Sequence, residues 1–177
     1  METRLGRAIV ALAAACIAGS CGAAPSASPP APPAEAAPRP VAPAVTGPAP
    51  PAIETAAGDG RAVAEVVREA LARAEPSGAR VLVYVGATWC EPCHRFLDAV
   101  RAGELDAVLP GLRLLEFDFD RDQARLAAAG YADQYVPLFV VPGPDGRGTA
   151  RRSAGAVKGP GAVDFIVPRL KPLLADP

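Results

Sequence analysis

Residues 81–94 read VLVYVGATWCEPCH, an apolar run that leads directly into two cysteines separated by two residues. A continuous apolar run of this length is typical of a strand that is buried on both faces of a sheet. The spacing Cys90-x-x-Cys93-His94 at its end fits two different chemistries. One is covalent haem attachment, and the other is a dithiol redox motif beside a strand–helix unit.

Haem, zinc and a purely structural disulfide each fit these residues less well than the dithiol. His94 is the only histidine and Met1 the only methionine, so a haem iron would lack a usual second axial ligand. A structural zinc site needs four nitrogen or sulfur ligands, and no second cluster accompanies this one. A disulfide that closes so short a loop removes little entropy from the unfolded chain. We therefore expect no metal and no cofactor, with a c-type haem protein kept as the less favoured alternative.

A dithiol at this position has a physical rationale. Where a strand ends and a helix begins, the first sulfur faces unpaired backbone N–H groups and the positive end of the helix dipole. Both stabilise the thiolate, which is the nucleophilic form of cysteine. Pro92 suits the first helical turn, because its missing N–H would have had no helical partner there.

The N-terminal residues predict an export signal. Arg4 and Arg7 precede an apolar stretch over residues 8–18 that is too short to span a bilayer. We expect residues 1–20 to be removed during export. An ordinary secretory signal, cleaved somewhere after residue 18, is the alternative.

The residues AGSC that end at Cys21 resemble the lipobox of bacterial lipoproteins. The resemblance implies that Cys21 is acylated and becomes the mature N-terminus, and cleavage at Cys16 is a less favoured alternative. The mature protein would then be anchored by lipid to a bacterial membrane and face the periplasm or the cell exterior. Cys90 and Cys93 would be left as a pair in an oxidising compartment, where a disulfide persists.

Composition divides the mature chain into two parts. Most of residues 21–57 are Pro and Ala, which favour an extended, semi-rigid spacer, so we expect a disordered tether there and a folded domain over residues 58–177.

Over the whole chain 18 basic side chains balance 19 acidic ones, and aromatic residues make up 5%. The sequence therefore shows neither the basic footprint nor the stacking surface of a nucleic-acid-binding protein.

The folded part alternates helical and strand patterns. Helices are predicted at residues 63–74, from the motif to residue 100, at 123–129 and at 163–170; strands are predicted at 81–85, 112–119, 137–141 and within 149–156, with a tight turn at 143–146. The early alternation predicts parallel strands joined by crossovers, and the late hairpin predicts an antiparallel edge. The expected fold class is α/β.

Residues 81–93 resemble the central strand and active-site turn of the thioredoxin family. The most specific part is residues 89–93, WCEPC, directly after an apolar strand. Val136-Pro137 resembles the cis-proline that faces the cysteines in that family. The resemblance covers residues 58–177 and implies a thioredoxin-like fold, in which a central mixed sheet is flanked by helices on both faces.

The resemblance also implies a thiol–disulfide oxidoreductase that acts on protein thiols or disulfides. Cys90 would be the exposed nucleophile that forms a mixed disulfide, and Cys93 the buried thiol that displaces the product. Trp89 would shield and position the turn. Val136 and Pro137 would supply backbone against which an extended substrate segment docks.

One position departs from the family pattern. Thioredoxin itself has a buried acid on the central strand, and this chain has Tyr84 there. A non-catalytic thioredoxin-fold module for binding or metal delivery therefore stays open as an alternative.

Glu91 is another acid within the motif, and its carboxylate disfavours an adjacent thiolate. Glu91-Pro92 resembles membrane-tethered periplasmic reductases, so we expect a reductase with an electron-transfer partner in the membrane, and we expect His94 to be an exposed helix residue.

Overall fold

The computed structural model of the chain describes residues 48–175. The strands in this part are β1 (Ala52–Thr55), β2 (Arg80–Gly86), β3 (Leu112–Asp118), β4 (Leu138–Pro142) and β5 (Gly148–Ala154), and the α-helices are α1 (Val63–Ala74), α2 (Glu91–Arg101), α3 (Phe119–Ala128) and α4 (Ala162–Leu174). The expected signal peptide, Cys21 and most of the expected tether lie outside the described residues. None of the helices in residues 48–175 is long and apolar enough to cross a membrane.

The strands form one mixed sheet in the order β1-β3-β2-β4-β5. β1 and β2 both run parallel to β3, whereas β4 runs antiparallel to β2 and to β5. The α/β class, the parallel crossovers and the antiparallel edge expected from the sequence are thus confirmed.

β2 lies in the middle of the sheet and is buried on both faces. Because successive side chains of a strand point to opposite faces, Leu82 and Tyr84 join the apolar cluster with α2 and α4. Val81, Val83 and Val85 join the second cluster, which contains residues of α1 and α3. The continuous apolar run in the sequence therefore reflects two cores that share one strand.

β1 lies within the segment that the sequence analysis assigned to the tether. Ala52 pairs with Arg113 and Thr55 with Glu116, and the N–H of Ala56 donates to Glu116 O at 2.8 Å. The strand covers the edge of β3, which would otherwise expose unpaired backbone groups. The folded part therefore includes Ala52–Thr55, which the sequence analysis assigned to the tether, because pairing with β3 orders a segment whose own composition favours a spacer.

The turn between β4 and β5 requires glycine at its last position. Gly146 N–H donates to Gly143 O at 2.9 Å, and Gly146 has a φ of 76°. A Cβ at Gly146 would lie 2.0 Å from the carbonyl oxygen of Ala64 in α1. The tight turn predicted at residues 143–146 is present, and its close contact with α1 excludes any side chain there.

α3 begins earlier than the sequence analysis predicted. Asp118 caps it, since its Oδ1 accepts a hydrogen bond from Arg121 N at 2.7 Å. Asp122 in the first turn is buried and accepts from Arg121 Nη2 at 2.7 Å, while Arg125 Nη2 lies 3.1 Å from it. The same two arginines donate to the carbonyl oxygens of Ala56 and Ala57, so this network ties the chain after β1 to α3.

We expect Asp122→Asn to lower the free energy of unfolding by about 1–3 kcal/mol, because hydrogen bonds to a charged group are lost. Burial alone would raise the pKa of Asp122, but hydrogen bonding and charge from Arg121, with the charge of Arg125, hold it below its ordinary value of 3.8. A lowered folded-state pKa stabilises the protein above the unfolded-state pKa and is lost as the pH falls through the folded value. Chemical denaturation between pH 2 and 7 measures both effects.

The exposed carboxylate of Asp164 in the first turn of α4 provides the control. Asp164→Asn should change the free energy of unfolding by less than about 0.5 kcal/mol. The difference between wild type and Asp122→Asn should be constant above about pH 4 and shrink below it. Equal losses for the two variants, or a difference that does not change with pH, would contradict the prediction.

Candidate active site

Cys90 and Cys93 form a disulfide at the N-terminus of α2. The sulfur atoms are 2.01 Å apart and the Cα atoms 5.2 Å apart. Cys90 is the N-cap of the helix, and the N–H of Cys93 points to Cys90 Sγ at 3.3 Å. Pro92 lies in the first turn, where the sequence predicted it. The end of β2 and the start of α2 therefore bring the pair together at the positive end of a helix dipole.

Both cysteines are buried, which corrects the expectation that Cys90 is exposed. The exposed fraction is 3% for Cys90 and 2% for Cys93, and both belong to the apolar cluster between the sheet and helices α2 and α4. Exposure therefore does not separate their roles. Their surroundings differ instead, because Cys90 lies at the helix cap and Cys93 lines an internal cleft with Tyr84.

Trp89 lies at the surface, where residues of α3 contact it. Its side chain is 63% exposed, so it is not a core residue. The indole Nε1–H donates to Asp120 Oδ2 at 2.8 Å, and the ring meets Phe119 edge-on with centroids 6.2 Å apart. Both partners lie in the first turn of α3. Trp89 thus joins the turn between β2 and α2 (residues 87–90, the redox turn below) to α3, a contact that no local sequence pattern indicates.

Glu91 is a fixed carboxylate beside the disulfide. It pairs with Arg95 one turn along α2, and its Oε2 accepts from Gly159 N at 3.1 Å. The hydrogen bond from Arg95, followed by that from Gly159, lowers the pKa of Glu91 below its ordinary value. Glu91 is consequently ionised near neutral pH and poorly suited to accept a proton from a thiol. Its contact with the loop before α4 was not predicted from the sequence.

The peptide bond between Val136 and Pro137 is cis. Pro137 is buried, and its carbonyl oxygen accepts from Gly155 N at 2.9 Å. Val136 is partly buried and packs against both apolar clusters, including the one that contains the two cysteines. The cis geometry that the resemblance implied is present, and the loop after β5 holds it.

Tyr84 occupies the position where the family resemblance suggested an acid. It is fully buried, and its ring packs against Phe139 and Phe96 at centroid distances of 5.2 and 6.1 Å. Its hydroxyl has no hydrogen-bond partner among the described residues. A Cβ at Gly86 would lie 2.6 Å from that hydroxyl, so glycine leaves the room that the phenol needs.

A cleft of about 240 Å³ lies behind Cys93. Tyr84 and Gly86 of β2, His94 of α2 and Glu116 of β3 contribute to its wall. The cleft thus combines a buried sulfur with polar groups from three elements. Glu116 was not identified from the sequence, because its place depends on how β2 and β3 are aligned.

The described residues offer no ready metal site. Within residues 48–175, no group of three or more His, Cys, Asp or Glu side chains is arranged to hold a metal ion. His94 is exposed, as expected, and its Nε2 lies 2.7 Å from Thr88 O. His94 therefore contacts the backbone of the redox turn.

The family comparison matches this region. A family described as thioredoxin-like matches residues 62–144, which include both cysteines and the cis-proline. No curated protein matches the chain. The fold is thioredoxin-like, and the Cys90–Cys93 pair at the start of α2 defines the class of chemistry: the domain is a thiol–disulfide oxidoreductase.

Three solved structures are similar to the chain. Trxlp from Edwardsiella tarda is 28% identical, with 54% of this chain and 89% of that chain covered and a TM-score of 0.37. A disulphide isomerase from Xylella fastidiosa is 21% identical, with coverages of 67% and 98% and a TM-score of 0.47. Thioredoxin from Trichomonas vaginalis is 25% identical, with coverages of 60% and 86% and a TM-score of 0.38.

Proposed function

We propose that this protein is a lipid-anchored thiol–disulfide reductase that works outside the cytoplasm on protein disulfides. The observation that carries the chemistry is the disulfide at the start of α2, with the Cys93 N–H 3.3 Å from Cys90 Sγ. After reduction, the same N–H and the helix dipole stabilise a thiolate at Cys90.

The reaction follows from this geometry. The Cys90 thiolate attacks one sulfur of a substrate disulfide, forms a mixed disulfide and releases the other substrate sulfur as a thiolate. Cys93 then attacks Cys90 Sγ, which restores the Cys90–Cys93 disulfide and releases the second substrate sulfur. Two electrons pass to the substrate in each cycle, and the reduced pair must be regenerated by an external dithiol or by a partner in the membrane.

Exposed apolar side chains next to the redox turn support a protein substrate. Trp89 precedes Cys90, and Tyr135, which is 59% exposed, precedes the cis Val136-Pro137 bond. Val157 is 43% exposed in the loop that bonds to Glu91 through Gly159. Exposed apolar groups of this kind often mark surfaces that bind other proteins.

The location rests on the N-terminal sequence. Two arginines, a short apolar run and the AGSC lipobox support export and acylation at Cys21. The Pro- and Ala-rich residues that follow would hold the domain away from the membrane. A membrane partner that supplies electrons to the Cys90–Cys93 disulfide is the corresponding proposal for how the reductase is recharged.

We expect the full chain with Cys16→Ser and Cys21→Ser to accelerate the precipitation of insulin by dithiothreitol. The Cys90→Ser variant should lose this acceleration, because the nucleophile is gone. The Cys93→Ser variant should also turn over poorly. When it is reduced, freed of dithiothreitol and then mixed with insulin, it should accumulate a mixed disulfide, because no second thiol of the protein displaces the insulin sulfur. Turbidity and mass spectrometry under non-reducing conditions measure the two effects.

The two single variants are matched controls, because both cysteines are almost equally buried. If Cys90→Ser trapped insulin and Cys93→Ser did not, the assigned roles would be reversed. If the parent protein produced no acceleration, the proposed reductase activity would be rejected.

We expect Cys21→Ser to abolish membrane association in a bacterial host, whereas Cys16→Ser should leave it intact. The reason is that only Cys21 would carry lipid in the mature protein. Detergent phase partition and the mass of the purified protein measure the outcome. Equal partition of both variants into the detergent phase would contradict acylation at Cys21.

Glu91 supports the reducing direction. A carboxylate next to Cys90 disfavours the thiolate and thereby the reduced pair, which lowers the reduction potential. Arg95 neutralises part of that charge in the structure. Removing the charge of Glu91 should therefore raise the reduction potential, and removing the charge of Arg95 should lower it.

We expect the wild-type potential to lie below about −200 mV, in the range of reducing family members. Glu91→Gln should raise it and Arg95→Gln should lower it, each by up to roughly 30 mV, a tenfold change in the equilibrium constant. Arg73→Gln, which removes an arginine of α1 that pairs with Glu54 of β1, is the control and should leave the potential unchanged. Equilibration with glutathione or dithiothreitol measures the potential, and a wild-type value near −120 mV, typical of strong oxidants, would overturn the reducing direction.

A further inference from the structure

A row of polar residues crosses three strands beside Cys93. In the register of the parallel strands, Tyr84 of β2 lies opposite Glu116 of β3, and Glu116 lies opposite Thr55 of β1. All three residues line the cleft that Cys93 also lines. Thr55 at the edge strand is exposed, Glu116 is partly buried and Tyr84 is fully buried. The row therefore leads from the neighbourhood of the buried sulfur to solvent.

The hydroxyl of Tyr84 makes no hydrogen bond within the described part of the chain. It is buried and has no hydrogen-bond partner there, an arrangement that normally costs stability. Its ring is held by Phe96 and Phe139, and Gly86 supplies the space around the oxygen. An oxygen that is costly for folding and adjoins the cleft at the resolving cysteine is a candidate for a role in the reaction.

Glu116 differs from the other charged groups that line the cleft. Those groups are His94 and Arg101 of α2, Asp118 of β3 and Arg121 of α3. His94 contacts Thr88 O, Arg101 pairs with Asp98, and Asp118 caps α3 while Arg121 binds Asp122. Glu116 Oε2 instead accepts a hydrogen bond from the neutral hydroxyl of Thr55 at 2.9 Å.

We propose that Glu116, through the hydroxyl of Tyr84 and water in the cleft, accepts the proton of the Cys93 thiol when Cys93 resolves the mixed disulfide. The inference rests on the reductase function proposed above. The Cys93 sulfur loses its proton to Glu116 and forms a bond to Cys90 Sγ. The bond between Cys90 Sγ and the substrate sulfur breaks, and its electron pair leaves with the substrate as a thiolate. In this step Cys93 is oxidised to the disulfide level, Cys90 stays at that level and the substrate sulfur is reduced to a thiolate, and Glu116 returns its proton to solvent.

Tyr84 acts here as a positioning residue. Burial, followed by the charge of Glu116, raises the pKa of its hydroxyl, so the phenol stays neutral. A neutral phenol can donate and accept hydrogen bonds within a relay but does not end as the base. The carboxylate of Glu116, which is next to Tyr84 in the row, accepts the proton.

The test measures the lifetime of the glutathione mixed disulfide in the full chain that carries Cys16→Ser and Cys21→Ser. Reduced protein is mixed with oxidised glutathione at pH values from 6 to 10 and quenched with acid at intervals. Mass spectrometry then measures the fraction of protein that carries a bound glutathione. Tyr84→Phe and Glu116→Gln should each lengthen the lifetime roughly tenfold or more at pH 7. The lifetimes should converge with wild type above about pH 9, where a thiol ionises without help.

Two control variants remove a phenol hydroxyl and a carboxylate that do not line the cleft. Tyr131→Phe removes a buried hydroxyl that donates to Gly146 O, and Glu54→Gln removes a carboxylate that pairs with Arg73. Both should leave the lifetime unchanged at every pH. Tyr84→Phe removes an oxygen without a partner, so its midpoint of thermal unfolding should be unchanged or raised.

Wild-type lifetimes for both Tyr84→Phe and Glu116→Gln at pH 7, or lifetimes lengthened equally at all pH values, would overturn the inference. Should Tyr84→Phe fail to fold, Glu116→Gln alone decides, because its side chain is only partly buried. A wild-type protein that neither formed the mixed disulfide nor became oxidised at Cys90 and Cys93 would instead overturn the proposed function, and the inference with it.

Discussion

The burial of β2 between two apolar layers is the constraint on which the site depends. Its alternating side chains enter separate clusters on the two faces of the sheet, which fixes the strand in position and in rotation. The end of β2 and the start of α2 are then fixed as well, and with them the pair Cys90 and Cys93. A shift of β2 by one residue would exchange the two faces and move Tyr84 away from the cleft.

The two sulfur atoms have different surroundings, although they are equally buried. Cys90 lies at the helix cap, where an N–H and the helix dipole favour a negative charge. Cys93 borders a cleft with a phenol and a carboxylate, groups suited to moving a proton. A nucleophile needs the first environment, and a thiol that must lose its proton during the reaction needs the second. The structure thus distinguishes the two sulfurs by their electrostatic surroundings rather than by their exposure.

Local patterns in the sequence were enough to predict most of the fold. The apolar run before the motif predicted β2, and helical spacing predicted α1 and α4, because each element buries a face that its own periodicity reveals. Val136-Pro137 was expected to be cis from the family resemblance, and it is. By contrast, β1 was assigned to the tether, since what orders it is pairing with β3 and not its own composition.

The sequence by itself predicted the class of chemistry, because two cysteines separated by two residues after a buried strand are typical of a redox dithiol at a helix start, which is where they lie. It also carried the pattern for export and acylation, a prediction on residues outside the described part. Only the tertiary structure decided what surrounds the sulfurs. The burial of Cys90, the bond from Trp89 to Asp120 and the row from Tyr84 to Glu116 all join residues from different elements. Such contacts depend on strand register and helix docking, which arise from the packing of the whole domain.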